Sequence, residues 1–108
     1  MTQYQTEAQF QEAFVEWLTL HRWTVHAERP ARTKDGWRTA IMGRAGFFDL
    51  VALRDGVLLL AELKSEQGRM TEDQEHWARE AVRHIDGKRT WAVCLRPSDW
   101  PWIEEHLA

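Results

Sequence analysis

The sequence contains only one cysteine, and it lacks the Cys and His motifs that are typical of zinc sites. The one cysteine, Cys94, lies in the apolar run 90–95 and has no CxxC partner. Neither a disulfide framework nor a thiolate zinc site can therefore form within the chain. The 5 histidines show no ligand spacing and no HExxH motif is present, which counts against zinc. A lone cysteine fits a reducing environment, so we expect a cytoplasmic protein.

Long hydrophobic runs and glycine-rich loops are missing as well. No stretch is long enough to cross a membrane, and the polar residues 1–5 lack the basic and apolar regions of a signal peptide. Because there is no glycine-rich phosphate loop, a nucleotide cofactor is not expected. The net charge of −3 excludes a uniformly basic surface. Any binding to nucleic acid must then come from a local basic patch.

The apolar content that is present is sufficient for one core. With 108 residues, 44% of them hydrophobic, the chain predicts a single domain over residues 1–108. A capping box at Thr6-Glu7-Ala8-Gln9 precedes apolar residues at helical spacing, which predicts a helix from about 6 to 21. Glu7 is in phase with those residues, so it should lie near the buried stripe. A short strand is predicted over 23–27 and a long loop over 28–45, which has no apolar period.

Two apolar runs that contain acidic and basic residues predict a β-hairpin. The runs are 47–53 and 57–64. Between them, Asp55-Gly56 is a dipeptide favoured in tight hairpin turns. A two-residue turn places Asp49 directly across from Glu62, and strand alternation puts Lys64 on the same face as Glu62. A four-residue loop keeps this facing, whereas a three-residue loop sends Glu62 to the opposite face.

The predicted pair of facing carboxylates needs a positive partner. Like charges about 4.5 to 5.5 Å apart on neighbouring strands destabilise a sheet. Lys64 could neutralise Asp49 and Glu62, but two carboxylates beside open space also bind Mg²⁺ with several of its waters. A Glu-x-Lys at a strand end more often only marks where the strand enters solvent. Asp49, however, interrupts an apolar run, where a carboxylate is costly unless it is paired or metal-bound.

The remaining elements suggest an α/β layered domain. A second capping box, at 71–74, predicts a helix to about residue 85, followed by a strand over 90–95. Pro97 begins a short last helix. The order α-β-β-β-α-β-α predicts a mixed sheet of about four strands flanked by helices.

The acidic and basic residues of the hairpin carry a resemblance to a known family. Gly46-Phe47-Phe48-Asp49 followed by Glu62-Leu63-Lys64 resembles the signature of the PD-(D/E)XK nuclease superfamily. More closely, the sequence is similar to a stand-alone, phage-type VRR-NUC domain over almost its whole length. The matching residues are Thr6-Glu7, 46–53, 61–65, Gly68, Gln74 and 96–100. The resemblance implies a restriction-endonuclease-like core. Phe48 replaces the usual proline, which should alter the start of the strand without removing a ligand.

The resemblance also implies roles for the hairpin residues. Asp49 and Glu62 would be metal ligands, joined by the backbone carbonyl of Leu63. Lys64 would orient or activate the attacking water and help to hold the scissile phosphate. The implied cofactor is Mg²⁺, and Mn²⁺ suits the same oxygen ligands.

Two residues outside the hairpin match the family pattern. Glu7 matches the first-helix acid that approaches the metal site, with Glu12 as the fallback. Gln74 matches a glutamine at the start of the helix after the core motif, which would make it part of the catalytic site. Gln74 is equally the reciprocal partner of a Thr71 cap, and both roles can hold together.

The predicted loop carries a local positive charge that would suit DNA. Over residues 29–44 it has five basic residues and the single acid Asp35, a local balance of +4; the basic residues are Arg29, Arg32, Lys34, Arg38 and Arg44. Phosphate contacts from such a loop would make binding strongly salt-dependent. Trp37, among these charges, could stack on an exposed base or wedge at a branch point. It could equally cover the core as the loop crosses the sheet.

We therefore expect a Mg²⁺-dependent, structure-selective endodeoxyribonuclease. The resemblance implies a four-way (Holliday) junction resolvase acting as a symmetric homodimer in a bacterial or phage-infected cell, because a two-fold dimer presents two sites to a two-fold substrate. One alternative is a general nuclease that trims flaps or nicks duplexes. Another is a non-catalytic module that uses the same fold to hold DNA or a protein.

Overall fold

A four-stranded mixed sheet forms the centre of the molecule. The computed structural model describes residues 4–28 and 41–108, and the backbone alone of 31–33 and 36–38. The helices are α1 (Glu7–Leu20), α2 (Glu72–Val82) and α3 (Trp100–His106), the last preceded by a 3₁₀ turn at Pro97–Asp99. The strands are β1 (Thr24–Ala27), β2 (Ala31–Thr33), β3 (Gly36–Arg38), β4 (Leu50–Arg54), β5 (Val57–Leu63) and β6 (Thr90–Leu95). Within this part of the chain, no helix is long and apolar enough to cross a membrane.

The sheet order is β1-β4-β5-β6, and the last pair is parallel. β1 with β4 and β4 with β5 are antiparallel. A parallel neighbour cannot be reached through a tight turn. The chain therefore leaves β5, passes through α2 and returns in β6. This arrangement confirms the predicted α/β layering, with a four-stranded mixed sheet flanked by helices.

One face of the sheet holds the core. The predicted capping box of α1 is present, since the Thr6 hydroxyl accepts from the backbone N–H of Gln9 and the Gln9 side chain accepts from that of Thr6. The α1 residues Phe10, Phe14 and Leu18 are fully buried. They pack with the alternate strand residues that face them, namely Leu50, Ala52, Leu59, Ala61 and Leu63, and with Ile103 and Leu107 near the C-terminus. On β4 and β5, the residues that alternate with these core residues face the opposite side of the sheet.

The β4–β5 turn has the two-residue form that the Asp-Gly dipeptide predicts. Asp55 and Gly56 have φ values of 50° and 79°, the left-handed pair that a type I′ turn requires. Arg54 pairs with Val57, and the ladder continues without a bulge to Leu50 opposite Ala61. The predicted register is confirmed.

Two predicted boundaries are wrong. The segment 28–45, predicted as a long loop, contains β2 and β3, which pair as a separate two-stranded sheet. Strands of three residues are too short for an alternating apolar pattern to be recognised. The run 47–53 was predicted as one strand, but β4 begins at Leu50. Gly46, with φ +92°, turns the chain before the sheet begins.

Candidate functional site

Asp49 and Glu62 meet where β4 begins and β5 ends. Since Leu50 pairs with Ala61, Asp49, the residue before β4, faces Glu62, the next residue of β5, and the two side chains are hydrogen-bonded. The Leu63 N–H donates to Asp49 Oδ2 at 2.8 Å. The N–H of Lys64 points the other way, to Leu95 O on β6 at 3.0 Å, as alternation along a strand requires. The first carboxylate is thus tied to the backbone of the strand that carries the second.

Glu62 is a buried carboxyl group with an unusual environment. The residue is 2% exposed. Burial, then the hydrogen bond and negative charge of Asp49, raise its pKa from 4.5 to about 8, although the nearby Lys64 charge acts in the opposite direction. Among the described residues, Glu62 Oε1 has no hydrogen-bond partner. A buried oxygen without a partner is costly, so this atom marks a place where a donor or a cation would stabilise the fold.

Lys64 lies between two acids. Its Nζ is 3.7 Å from Glu62 Oε1 and 3.9 Å from Glu7 Oε1. Both distances exceed those of good hydrogen bonds, so the contacts are electrostatic. Lys64 is 8% exposed, whereas the Glu7 side chain is 53% exposed. The structure thus brings Glu7 to the lysine from the solvent side, and Glu12 lies exposed further along α1.

Gln74 serves as a helix cap. Its Oε1 accepts from the Thr71 N–H at 2.8 Å, while the Thr71 hydroxyl accepts from the Gln74 N–H at 3.2 Å. The start of α2 also touches the segment before Asp49. A Cβ on Gly46 would lie 2.6 Å from the backbone carbon of Asp73 and 2.8 Å from the Gln74 nitrogen. This close approach, together with the positive φ, explains the glycine.

The segment 44–47 is fastened to α2 by side chains as well. Trp77 Nε1 donates to Ala45 O at 2.9 Å, and the Trp77 ring meets Phe47 edge-on at 5.0 Å between centroids. Arg44 pairs with Asp73 at 3.3 Å. Arg44 belongs to the predicted DNA-binding set. The side chains of the other members lie outside the described residues; they are Arg29, Arg32, Lys34, Trp37 and Arg38.

Arg96 organises the turn that follows Lys64, a role that was not predicted. Its Nη1 donates to Ser65 O at 2.8 Å and to Gly68 O at 2.6 Å. The Glu66 carboxylate accepts from the Ser98 N–H at 3.1 Å, so the two segments are joined at a second point. A single guanidinium nitrogen can bind two carbonyls of one turn because it carries two N–H groups. In the sequence, Arg96 stands out only as part of the segment 96–100 that resembles the family, with no role assigned to it.

The donor set fits a hard, hydrated cation. Within the described ranges, no group of three or more His, Cys, Asp or Glu side chains lies close enough to hold a metal. The two carboxylates Asp49 and Glu62, with a backbone carbonyl, match the few protein ligands that Mg²⁺ takes while it keeps several waters. Glu62 Oε1, buried without a partner, is the atom that such a cation would satisfy. A structural zinc site of four protein ligands does not fit here.

No protein-family model and no curated protein matches this sequence.

Proposed function

We propose that this protein is a Mg²⁺-dependent endonuclease that hydrolyses DNA phosphodiesters. The observation that carries the proposal is the carboxyl pair of the half-buried Asp49 and the buried Glu62, with Glu62 Oε1 unsatisfied among the described residues and Lys64 beside it. An acidic pair of this kind is unfavourable for stability alone. A nuclease of the PD-(D/E)XK kind uses it to bind the metal. Support also comes from the order of the matching residues along the chain.

The side chains of the site have different roles in hydrolysis. Asp49 and Glu62 would hold the cation, with the Leu63 carbonyl as a further ligand. When bound, Mg²⁺ supplies positive charge to the phosphate and makes a bound water more acidic. Lys64 faces the same site, where it orients the attacking water and offers a positive charge to the phosphate oxygens. The Glu7 carboxylate, 3.9 Å from Lys64 Nζ, attracts the lysine electrostatically and helps to keep it at the site.

The preferred substrate that we propose is a four-way junction, bound by a homodimer. One metal site cuts one strand, so a symmetric pair of subunits suits a substrate with two-fold symmetry. The basic residues of the segment 29–44 would contact the phosphates and give binding a steep salt dependence. Light scattering tests the dimer, because a mass near 12.8 kDa at assay concentrations would describe a monomer.

Cleavage assays on defined DNA structures test the proposal. Labelled four-way junction, flap, nicked and linear duplexes are incubated with Mg²⁺, Mn²⁺ or EDTA. We expect the junction to be cut most rapidly, and metal removal to stop cleavage. Asp49→Ala and Lys64→Met should each lower the single-turnover rate by at least about 100-fold. Cutting of linear duplex as fast as junction would reject the resolvase assignment, and flap or nick preference would favour a general nuclease.

Matched variants separate the site from general effects of charge. Glu75→Gln removes an exposed carboxylate of α2 that pairs with Arg79, and Lys88→Met removes an exposed lysine. Both should cut at the wild-type rate. If the wild-type protein cuts none of the substrates with either metal but still binds DNA, it is a binding module and the enzyme proposal is wrong.

A further inference from the structure

Phe47 is an aromatic side chain held rigidly beside the carboxyl pair yet left open to solvent. The residue is 48% exposed. Its ring meets Trp77 at 5.0 Å and Phe48 at 5.6 Å, both edge to face. Phe47 is thus fixed by its two neighbours while part of its surface remains uncovered.

Phe47 lies two residues before the proposed metal ligand Asp49. Phe48 is buried at 8% exposure, and its ring contacts that of Phe47. The contact of Phe47 with Trp77 places it on the side of α2. Two residues of extended chain span about 7 Å at most. Phe47 is therefore within one or two nucleotide steps of a phosphate held at Asp49.

The segment that carries Phe47 cannot move freely. Gly46 packs on the backbone at the start of α2, the Trp77 indole donates to Ala45 O, and Arg44 pairs with Asp73. The Arg44 side chain is half exposed, so a charge that suits phosphate lies three residues from an aromatic face. An aromatic ring next to a positively charged side chain is typical of binding sites for single-stranded nucleic acid.

We propose that Phe47, braced by Trp77, is a stacking platform for an unpaired nucleobase next to the cleaved phosphate. The inference rests on the proposed nuclease function and adds a requirement for the substrate. The strand must expose a base beside the cut, as at a branch point, a flap or a frayed end. In a fully paired duplex, no base is free to stack on the Phe47 ring.

Fluorescence of 2-aminopurine tests this platform without requiring cleavage. The base analogue is placed in turn at each position around the branch of a four-way junction, and the junction is bound in EDTA. Stacking on Phe47 should quench the fluorescence at one position beside the cut. Phe47→Leu keeps apolar volume against Trp77 but removes the ring, so the quench should disappear. Phe47→Trp should retain it.

Affinity provides the second measurement. Phe47→Leu should weaken junction binding by about tenfold and leave linear duplex binding within about twofold, since one stacked base is lost. Leu20→Ala, which changes an exposed side chain at the far end of α1, should alter neither. If Phe47→Leu loses affinity equally for duplex and junction, or if the fluorescence quench persists in this variant, the stacking proposal is wrong. Cleavage by the wild-type protein would still support the nuclease proposal. Loss of the quench in Phe47→Leu, in a protein that cuts nothing, would instead retain the platform and reject the nuclease.

Discussion

Lys64 Nζ lies 3.7 Å from Glu62 Oε1, with both residues buried at the end of β5. The pair looks like an ion pair, but the carboxyl group does not behave as an ordinary anion. Burial and Asp49 outweigh the lysine and raise the pKa of Glu62 to about 8. At neutral pH the Glu62 carboxyl group is then mainly neutral. A metal must displace the proton before Glu62 can act as a ligand.

Stability without metal should fall as the pH rises from about 4.5 to about 8. The pKa of Glu62 is higher in the folded protein than its ordinary value of 4.5, so in this range the folded state binds more protons than the unfolded state. The free energy of unfolding therefore decreases with pH, by at most about 1.4 kcal/mol per pH unit from this group. Its contribution is complete below pH 4.5 and lost above pH 8.

Glu62→Gln isolates this contribution from that of other titrating groups. The amide carries no titrating proton, so urea unfolding in EDTA at pH 5, 6.5 and 8 should show a flatter pH dependence than the wild type. Mg²⁺ should restore stability to the wild type at pH 8 and should not do so in the variant. Parallel pH curves for the two proteins would show that Glu62 does not hold its proton in the folded state.

The close approach at Gly46 predicts a sharp difference between two glycines. Gly46 and Gly43 have similar positive φ values, +92° and +87°, but only the first meets neighbouring atoms. Alanine at either position has the same backbone strain, about 1–2 kcal/mol. At Gly46 the added Cβ also collides with backbone at the start of α2. Gly46→Ala should cost at least about 2 kcal/mol more than Gly43→Ala.

Urea unfolding measures this difference, and cleavage shows its consequence. Displacing the segment before Asp49 moves a proposed metal ligand, so Gly46→Ala should cut slowly even where it is folded. Gly43→Ala should cut at close to the wild-type rate. Equal stability of the two variants would mean that the segment 44–47 is not seated on α2.

The hairpin and its register could be predicted from the sequence because the information is local. Asp55-Gly56 selects a two-residue turn, and counting from that turn places Asp49 opposite Glu62. The first helix was equally predictable, since Thr6 and Gln9 satisfy each other within one turn. Local patterns of this kind do not depend on what the rest of the chain does.

The contacts that support the site could not be predicted, because they join distant segments. Arg96 reaches carbonyls of residues near 65–68, and Gly46 touches the start of α2 some 27 residues later. Hydrophobic periodicity in the sequence gives no information about such contacts. Gln74 was left with two roles for the same reason, since only geometry shows where its amide points. The short strands β2 and β3 could not be predicted, because three residues are too few to show an alternating apolar pattern.

Arg96 should be a positioning residue that lysine cannot replace. Arg96→Lys keeps the charge but replaces the planar guanidinium, whose Nη1 donates to both Ser65 O and Gly68 O, with a flexible ammonium group. We expect a loss of about 1–2 kcal/mol in stability. The turn after Lys64 should loosen, so the single-turnover cleavage rate should fall by about tenfold while the junction Kd stays within about twofold. Unfolding and cleavage measurements at the same pH give both values.

Arg79→Lys is the matched control for this change. Arg79 is exposed and pairs with Glu75 at 3.8 Å, a contact worth at most about 0.5 kcal/mol. Its replacement should leave stability and cleavage unchanged. A loss of DNA affinity in Arg96→Lys, with the rate of the bound complex intact, would show that Arg96 contacts the substrate and does not act through the turn.

Gln74 and Thr71 form one capping box, so their variants should resemble each other. Each side chain accepts from the backbone N–H of the other residue. Thr71→Ala and Gln74→Ala should each cost about 0.5–2 kcal/mol of stability. Gln74→Glu should keep the cap, because a carboxylate oxygen at this position accepts the same N–H. If capping is the role of Gln74, all three variants should cut junction within about threefold of the wild-type rate under conditions where they are folded. A cleavage rate that falls by 100-fold or more in Gln74→Ala but not in Thr71→Ala would instead place the amide in the catalytic site.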